Sequence, residues 1–134
     1  SYVGWRWPMR EVGDKLWVAN LEEAREWADA VDLVIDCLDA HAPTGTTSHG
    51  WTPEDLESIV SAVRGAVGDV LVHCRSGKSR SACAAAAVLL GRGDADDPTA
   101  AMRMTQMGTS RMNAHSVKGL REWWDHRQQA SMFR

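Results

Sequence analysis

The sequence predicts an α/β fold, a single domain over 1–134 with a small, mostly parallel central sheet of about four to five strands flanked by helices. Three observations lead there. Short apolar runs of strand length alternate with longer segments whose apolar residues recur at helical spacing. One such run, Val70-Leu71-Val72, passes through a tight loop into the alanine-rich stretch Ala82 to Leu90, a strand–loop–helix unit. The chain of 134 residues is long enough for one real core and too short for two.

The elements follow in order. Residues 3–7 and 15–19 read as short strands forming a hairpin through Gly13-Asp14. Asn20 is a good N-cap for a helix over 21–30, with Glu22 and Glu23 in its first turn. Residues 32–37 read as a buried strand, and 38–52 as a loop rich in Gly, Thr, Ser and His. Thr52 caps a helix with Pro53 at its first position and Leu56, Ile59, Val60 and Val63 on its apolar face. Gly65 and Gly68 end it, and 69–73 is the central strand. A nearly all-apolar helix over 80–91 must be buried. Asp97-Pro98 opens a helix to about Met107, and a last helix runs from about Asn113 to Gln129.

Composition narrows the function classes. Hydrophobic content of 44% and charged content of 25% fit a soluble globular protein. A net charge of −3 argues against general adhesion to nucleic acid, and no polybasic patch suggests stable membrane association. No apolar run reaches bilayer length and no signal peptide is visible. Three cysteines form no disulfide framework, so a reducing, cytoplasmic location is expected. Seven Trp against one Tyr and one Phe is a bias that composition alone assigns to no function. His41, His49, His115 and His126 show no ligand spacing, so no metal and no cofactor are expected.

The run His73-Cys74-Arg75-Ser76-Gly77-Lys78-Ser79-Arg80-Ser81 carries the chemistry. A loop from Cys74 to Arg80 that closes on a helix N-terminus can hold a tetrahedral dianion. Its backbone N–H groups point inward, and the helix dipole favours negative charge. Arg75, Ser76, Gly77, Lys78, Ser79 and Arg80 are the candidate phosphate binders. Arg80 adds a planar fork for two oxygens. Gly77 permits a positive φ or close backbone approach. The same field favours a thiolate at Cys74, lowering its pKa from about 8.5 into roughly the 3.5–7.5 range. A nucleophile beneath a phosphate-shaped cup implies phosphoryl transfer through a cysteinyl-phosphate. Ser81 can donate a hydrogen bond to the thiolate and improve it as a leaving group.

This H-C-x-x-G-x-x-R-S run resembles that of the cysteine-dependent protein tyrosine phosphatases, in particular the compact dual-specificity branch. Leu16-Trp17-Val18-Ala19-Asn20-Leu21-Glu22-Glu23-Ala24 is similar to the opening motif of that branch, with Ala19 in place of the usual Gly. Val31 to Cys37 resembles its next core strand, and Asp97-Pro98-Thr99-Ala100-Ala101-Met102 with Arg111 resembles the helix after the loop. The match spans roughly residues 12–125. It implies a phosphoprotein phosphatase, phosphotyrosine favoured, acting on a phosphorylated protein or small phosphomonoester. It further implies that His73 orients the loop and that Arg111 braces it, a solvated surface Arg111 being the other reading.

The resemblance also implies a general acid ahead of the Cys, which protonates the leaving oxygen and then activates water. Ser48-His49-Gly50-Trp51-Thr52-Pro53 is similar to the loop that carries it, but His49 stands where Asp is expected. Asp39 is the nearest well-placed upstream carboxylate, so the alternatives are Asp39, His49, or neither, in which case activated leaving groups are still cleaved and poor ones only slowly. Asp36 reads as part of the strand and Asp55 as a first-turn helix acid. Arg75 and Lys78 beside Arg80 resemble the lipid-phosphatase branch, which makes a phosphoinositide or inositol phosphate the second substrate class. A phosphate-recognition module without turnover is the reading from another class. Cys37, ending the strand expected beside Cys74, is a candidate redox partner for it.

Overall fold

The computed structural model describes residues 9–38, 51–76, 78–106 and 111–132. The described chain opens on a hairpin of β1 (Arg10–Gly13) and β2 (Leu16–Ala19). Its turn is Asp14-Lys15, with Lys15 in the left-handed region at φ 54°. The strand expected over 3–7 lies outside the described residues. The partner of β2 is instead Arg10–Gly13, a segment with one apolar residue, Val12, and so no strand-like run to read.

Helix α1 (Leu21–Trp27) follows, and residues 28–30, read as its last turn, tighten into a 3-10 turn. Strand β3 (Leu33–Asp36) is half-buried along its length rather than buried, because it forms one edge of the sheet. Helix α2 (Pro53–Arg64) starts where Thr52 caps it, its hydroxyl accepting the Asp55 N–H. Strand β4 (Val70–His73) is buried throughout. Helix α3 (Arg80–Arg92) ends on Gly93, whose φ of 80° suits a residue without Cβ. Helix α4 (Pro98–Thr105), capped by Asp97, and helix α5 (Ala114–Met132) complete the chain. Asn113 starts α5 by accepting the Ser116 N–H at 2.8 Å.

The sheet order is β1-β2-β4-β3, antiparallel at the hairpin and parallel elsewhere. In register, Val18 and Ile35 flank Val72, and Ala19 and Asp36 flank His73. Side chains alternate between faces. Leu16, Val18, Val70 and Val72 meet α2, α3 and α5 in the main core. Ala19 and Leu71 meet Ala24 of α1 in a smaller cluster on the other face. Helix α3 is enclosed on all sides, Ser81 through Leu90 being buried without a break. Its run of alanines lets the sheet, α2, α4 and α5 approach closely. The central strand and this central helix are joined by the Cys74 loop, so the most constrained elements of the fold carry the candidate site. Among the described residues no helix is long and apolar enough to cross a membrane.

Candidate active site

Parallel strands β2, β4 and β3 all deliver their C-terminal ends to one edge of the sheet, where β4 gives way to the Cys74 loop. Cys74 lies at the floor of that loop, only 5% exposed, and its Sγ is 3.1 Å from the Ser81 hydroxyl. Ser81 is itself fully buried in the first turn of α3. Arg75, Ser76 and Lys78 are exposed at the rim. Gly77 lies outside the described residues.

The far limb of the loop is tied to α5. The Ser79 hydroxyl accepts the Asn113 N–H at 3.0 Å and lies 3.4 Å from the Ser116 hydroxyl. Ser116 is fully buried, and its carbonyl accepts from the Cys83 thiol at 3.4 Å. Cys83 is thus a core group, with burial raising its pKa.

Human DUSP28 superposes with a TM-score of 0.71 at 21% identity, covering 90% of this chain and 95% of that one. Tk-PTP in its active form gives 0.70 at 14%, covering 88% and 97%. PTPMT1 in complex with PI(5)P gives 0.69 at 15%, covering 92% and 98%. The fold is that of the compact dual-specificity phosphatases. No protein-family model and no curated protein matches the chain.

In this phosphatase fold the remaining candidate residues divide. Arg80 heads α3, and its guanidinium carbon sits 5.1 Å from the centroid of the Trp51 ring. The Trp51 indole N–H also donates to the Arg80 carbonyl oxygen at 2.9 Å. Trp51 is 4% exposed, so the arginine rests against a fixed, desolvated ring. The His73 side chain turns to the opposite sheet face from Cys74, with Nε2 3.8 Å from Asp36 Oδ1. Its backbone carbonyl accepts the Cys37 N–H at 2.8 Å. Cys37 is fully buried; burial pushes its thiol pKa well up, and the nearby Cys74 charge pushes the same way. Arg111 is exposed and lines a cleft of about 560 Å³ with Lys78, Thr99, Met102, Arg103 and Gln106. Among the described residues no carboxylate lines that cleft. Asp39 and His49 lie outside the described residues.

Sequence reasoning passed over Trp51, Arg10 and Glu23. Arg10 of β1 donates to the Thr105 carbonyl at the end of α4 and lies within electrostatic reach of both Glu23 and Cys74. Burial lowers its pKa against those two charges. Glu23 is fully buried. The spacing Asn20-x-x-Glu23 was the signal for the last, since it is the pattern of a capping box.

Proposed function

We propose that the protein is a cysteine-dependent phosphomonoesterase acting on phosphoproteins, phosphotyrosine first. One observation carries the reading: the Cys74 sulfur, at the floor of the loop between β4 and α3, lies 3.1 Å from a buried serine hydroxyl. A thiolate in that position attacks phosphorus in line, and the bond to the leaving oxygen breaks as the sulfur–phosphorus bond forms. Arg80 binds two of the equatorial oxygens as charge spreads over them. Water then attacks the cysteinyl-phosphate, and the departing sulfur takes a hydrogen bond from Ser81. The acid that protonates the first leaving group, and later takes the proton from water, is Asp39 or His49. Loss of that residue slows alkyl phosphates far more than nitrophenyl phosphate.

The test is hydrolysis of an aryl phosphate by wild type, Cys74→Ser and Arg80→Lys. Wild type turns over; Cys74→Ser loses nearly all activity; the ammonium of Arg80→Lys fails to replace the fork. Turnover by Cys74→Ser within about tenfold of wild type would refute the mechanism. Phosphate binding without any wild-type turnover would instead favour a recognition module.

The second reading, an inositol-phosphate or phosphoinositide phosphatase, draws on the cleft beside the loop. Among the described residues, Lys78, Arg103 and Arg111 bring three cations and no carboxylate to that cleft. A ligand with a second phosphate gains from that arrangement and a singly phosphorylated one does not. The solved relative bound to PI(5)P has the same fold. Preference for inositol polyphosphates over phosphotyrosine peptides would move the assignment.

A further inference from the structure

One peptide group of the Cys74 loop is held from outside, by α1. Leu21, the first residue of that helix, donates its backbone N–H to the Arg75 carbonyl oxygen at 3.2 Å. The first N–H groups of a helix have no partner within it; here one of them is used on the loop. No described peptide bond is cis. Across a planar trans peptide, the C=O of one residue and the N–H of the next point in opposite directions. Fixing the Arg75 carbonyl toward α1 therefore fixes the Ser76 N–H away from it.

The start of α1 is itself fastened by a buried carboxyl. The Asn20 side chain accepts the Glu23 N–H at 2.8 Å, and one Glu23 carboxyl oxygen accepts the Asn20 N–H at 2.9 Å. The other Glu23 oxygen accepts the Met9 N–H at 3.0 Å, at the residue leading into β1. Capping boxes commonly sit at the surface, where water can replace any bond they lose. Glu23 is 0% exposed, so each of its bonds is needed to offset burial. Arg10 adds a positive charge beside it. One carboxyl thus locks the entry to β1 and the first turn of α1 into a single height relative to the loop.

We propose that Glu23 and the Leu21 N–H are a positioning device for the oxyanion bowl. Glu23 sets the N-terminus of α1, Leu21 holds the Arg75 carbonyl outside, and the Ser76 N–H is thereby aimed into the bowl before substrate arrives. The proposal rests on the phosphatase reading above. It adds two positioning residues that touch neither substrate nor the reacting atoms.

The experiment compares Leu21→Pro with Leu21→Ala. Proline at the first helical position keeps the helix and removes only this N–H. Asn20, at φ −88° and ψ 178°, already has the extended backbone that precedes a proline. Leu21→Ala loses the same side chain and keeps the N–H. Removing an oxyanion donor costs about 10²–10³ in rate, and a misaimed donor less, so Leu21→Pro should lose about tenfold in kcat relative to Leu21→Ala. Orthovanadate should bind more weakly by a similar factor, with thermal midpoints alike. Rates are taken per active site, titrated by the nitrophenol burst, so that a partly unfolded sample does not imitate the effect. If Leu21→Pro does not fold, Glu23→Gln gives the same readouts, with a loss of roughly threefold to tenfold per active site expected. Equal kcat and equal vanadate affinity in the paired proteins overturn this inference while leaving the phosphatase reading intact. A wild type that neither turns over aryl phosphates nor binds vanadate overturns both.

Discussion

Trp51 holds Arg80 at two points: its ring lies 5.1 Å from the guanidinium carbon, and its indole N–H donates to the same residue's carbonyl oxygen at 2.9 Å. The arginine is therefore fixed at both its backbone and its charged end by one side chain delivered from the segment before α2. Trp51→Phe keeps a ring and removes the donor. It removes one hydrogen bond to that carbonyl, which costs about 0.5–1.5 kcal/mol, and lets the fork drift. The expected result is a loss of about tenfold in kcat/KM, since small misplacements of a positioning group cost up to about a hundredfold. Steady-state kinetics beside a denaturation curve check it; unchanged kcat/KM would show that Arg80 is placed without the indole.

Gly119 of α5 supports the same tryptophan from behind. A Cβ there would fall on the Trp51 carbonyl oxygen, so backbone rather than a pliable side chain must yield. Gly119→Ala should destabilise the fold by about 1–3 kcal/mol through overpacking and lower activity although it lies on another helix. Combined with Trp51→Phe, its effect on kcat/KM should be less than additive, because both act through one contact. Full additivity would break the proposed route from Gly119 to Arg80.

Ser81 offers a kinetic signature. In the proposed mechanism its hydroxyl serves the sulfur as a leaving group, so Ser81→Ala should slow breakdown of the phosphoenzyme about tenfold to a hundredfold while leaving its formation nearly unchanged. Stopped-flow release of nitrophenol should show a full burst followed by a slow steady state. A burst slowed in proportion to kcat would place Ser81 in the first step instead.

Glu23 gives stability a pH dependence of known sign. Burial raises its pKa from the ordinary 4.5, outweighing the backbone bonds and the Arg10 charge that pull the other way. Between the ordinary and raised values the folded chain holds more protons than the unfolded one, so this contribution is complete below the window and is lost as pH rises through it. Glu23→Gln has no proton to lose. The melting temperature of wild type minus that of the variant should be greatest at the acid end and fall as pH climbs past the glutamate range. A difference that grows with pH contradicts the sign.

Cys37 and Cys74 define a redox test. Peroxide converts the Cys74 thiolate to a sulfenic acid, and the Cys37 thiol can condense with it, expelling water to give a disulfide. Burial and the Cys74 charge hold Cys37 as the neutral thiol, so condensation should be slow and should quicken with rising pH. Reductant should restore wild-type activity after mild peroxide, and Cys37→Ala should convert part of the loss to an irreversible one. Peptide mapping identifies the bond; equal recovery in both proteins removes Cys37 from the scheme.

Much of this was legible in the residues themselves. The helix at Pro53 announced itself through Thr52, proline and a regular apolar face, and β4 with α3 through an apolar run meeting a loop and an alanine stretch. The hairpin partner escaped because Arg10–Gly13 is held by register and by the Arg10 and Val12 contacts rather than by any strand-like pattern. β3 read as buried because its composition is apolar, whereas its place at the sheet edge leaves it half-covered. Trp51 lay within a segment searched for an acid, and its service to Arg80 depends on an approach across the fold that spacing does not encode. Glu23 carried its own signal in the capping box, but nothing local shows that such a box is buried against a loop more than fifty residues away in the chain.

The unbroken burial of α3 bears on how this protein can change over generations. From Ala82 to Ala87 the helix carries only methyl groups and one thiol, each already in contact with a neighbour. Any larger group there must displace another element, so drift behind Cys74 is nearly closed. Arg75 and Lys78 on the loop's rim, and Arg103 and Arg111 across the cleft, are exposed and can be exchanged without touching that helix. Inheritance is thus partitioned: under the proposed function, the chemistry is frozen into the interior, while the choice of what to act upon remains open to selection at the surface.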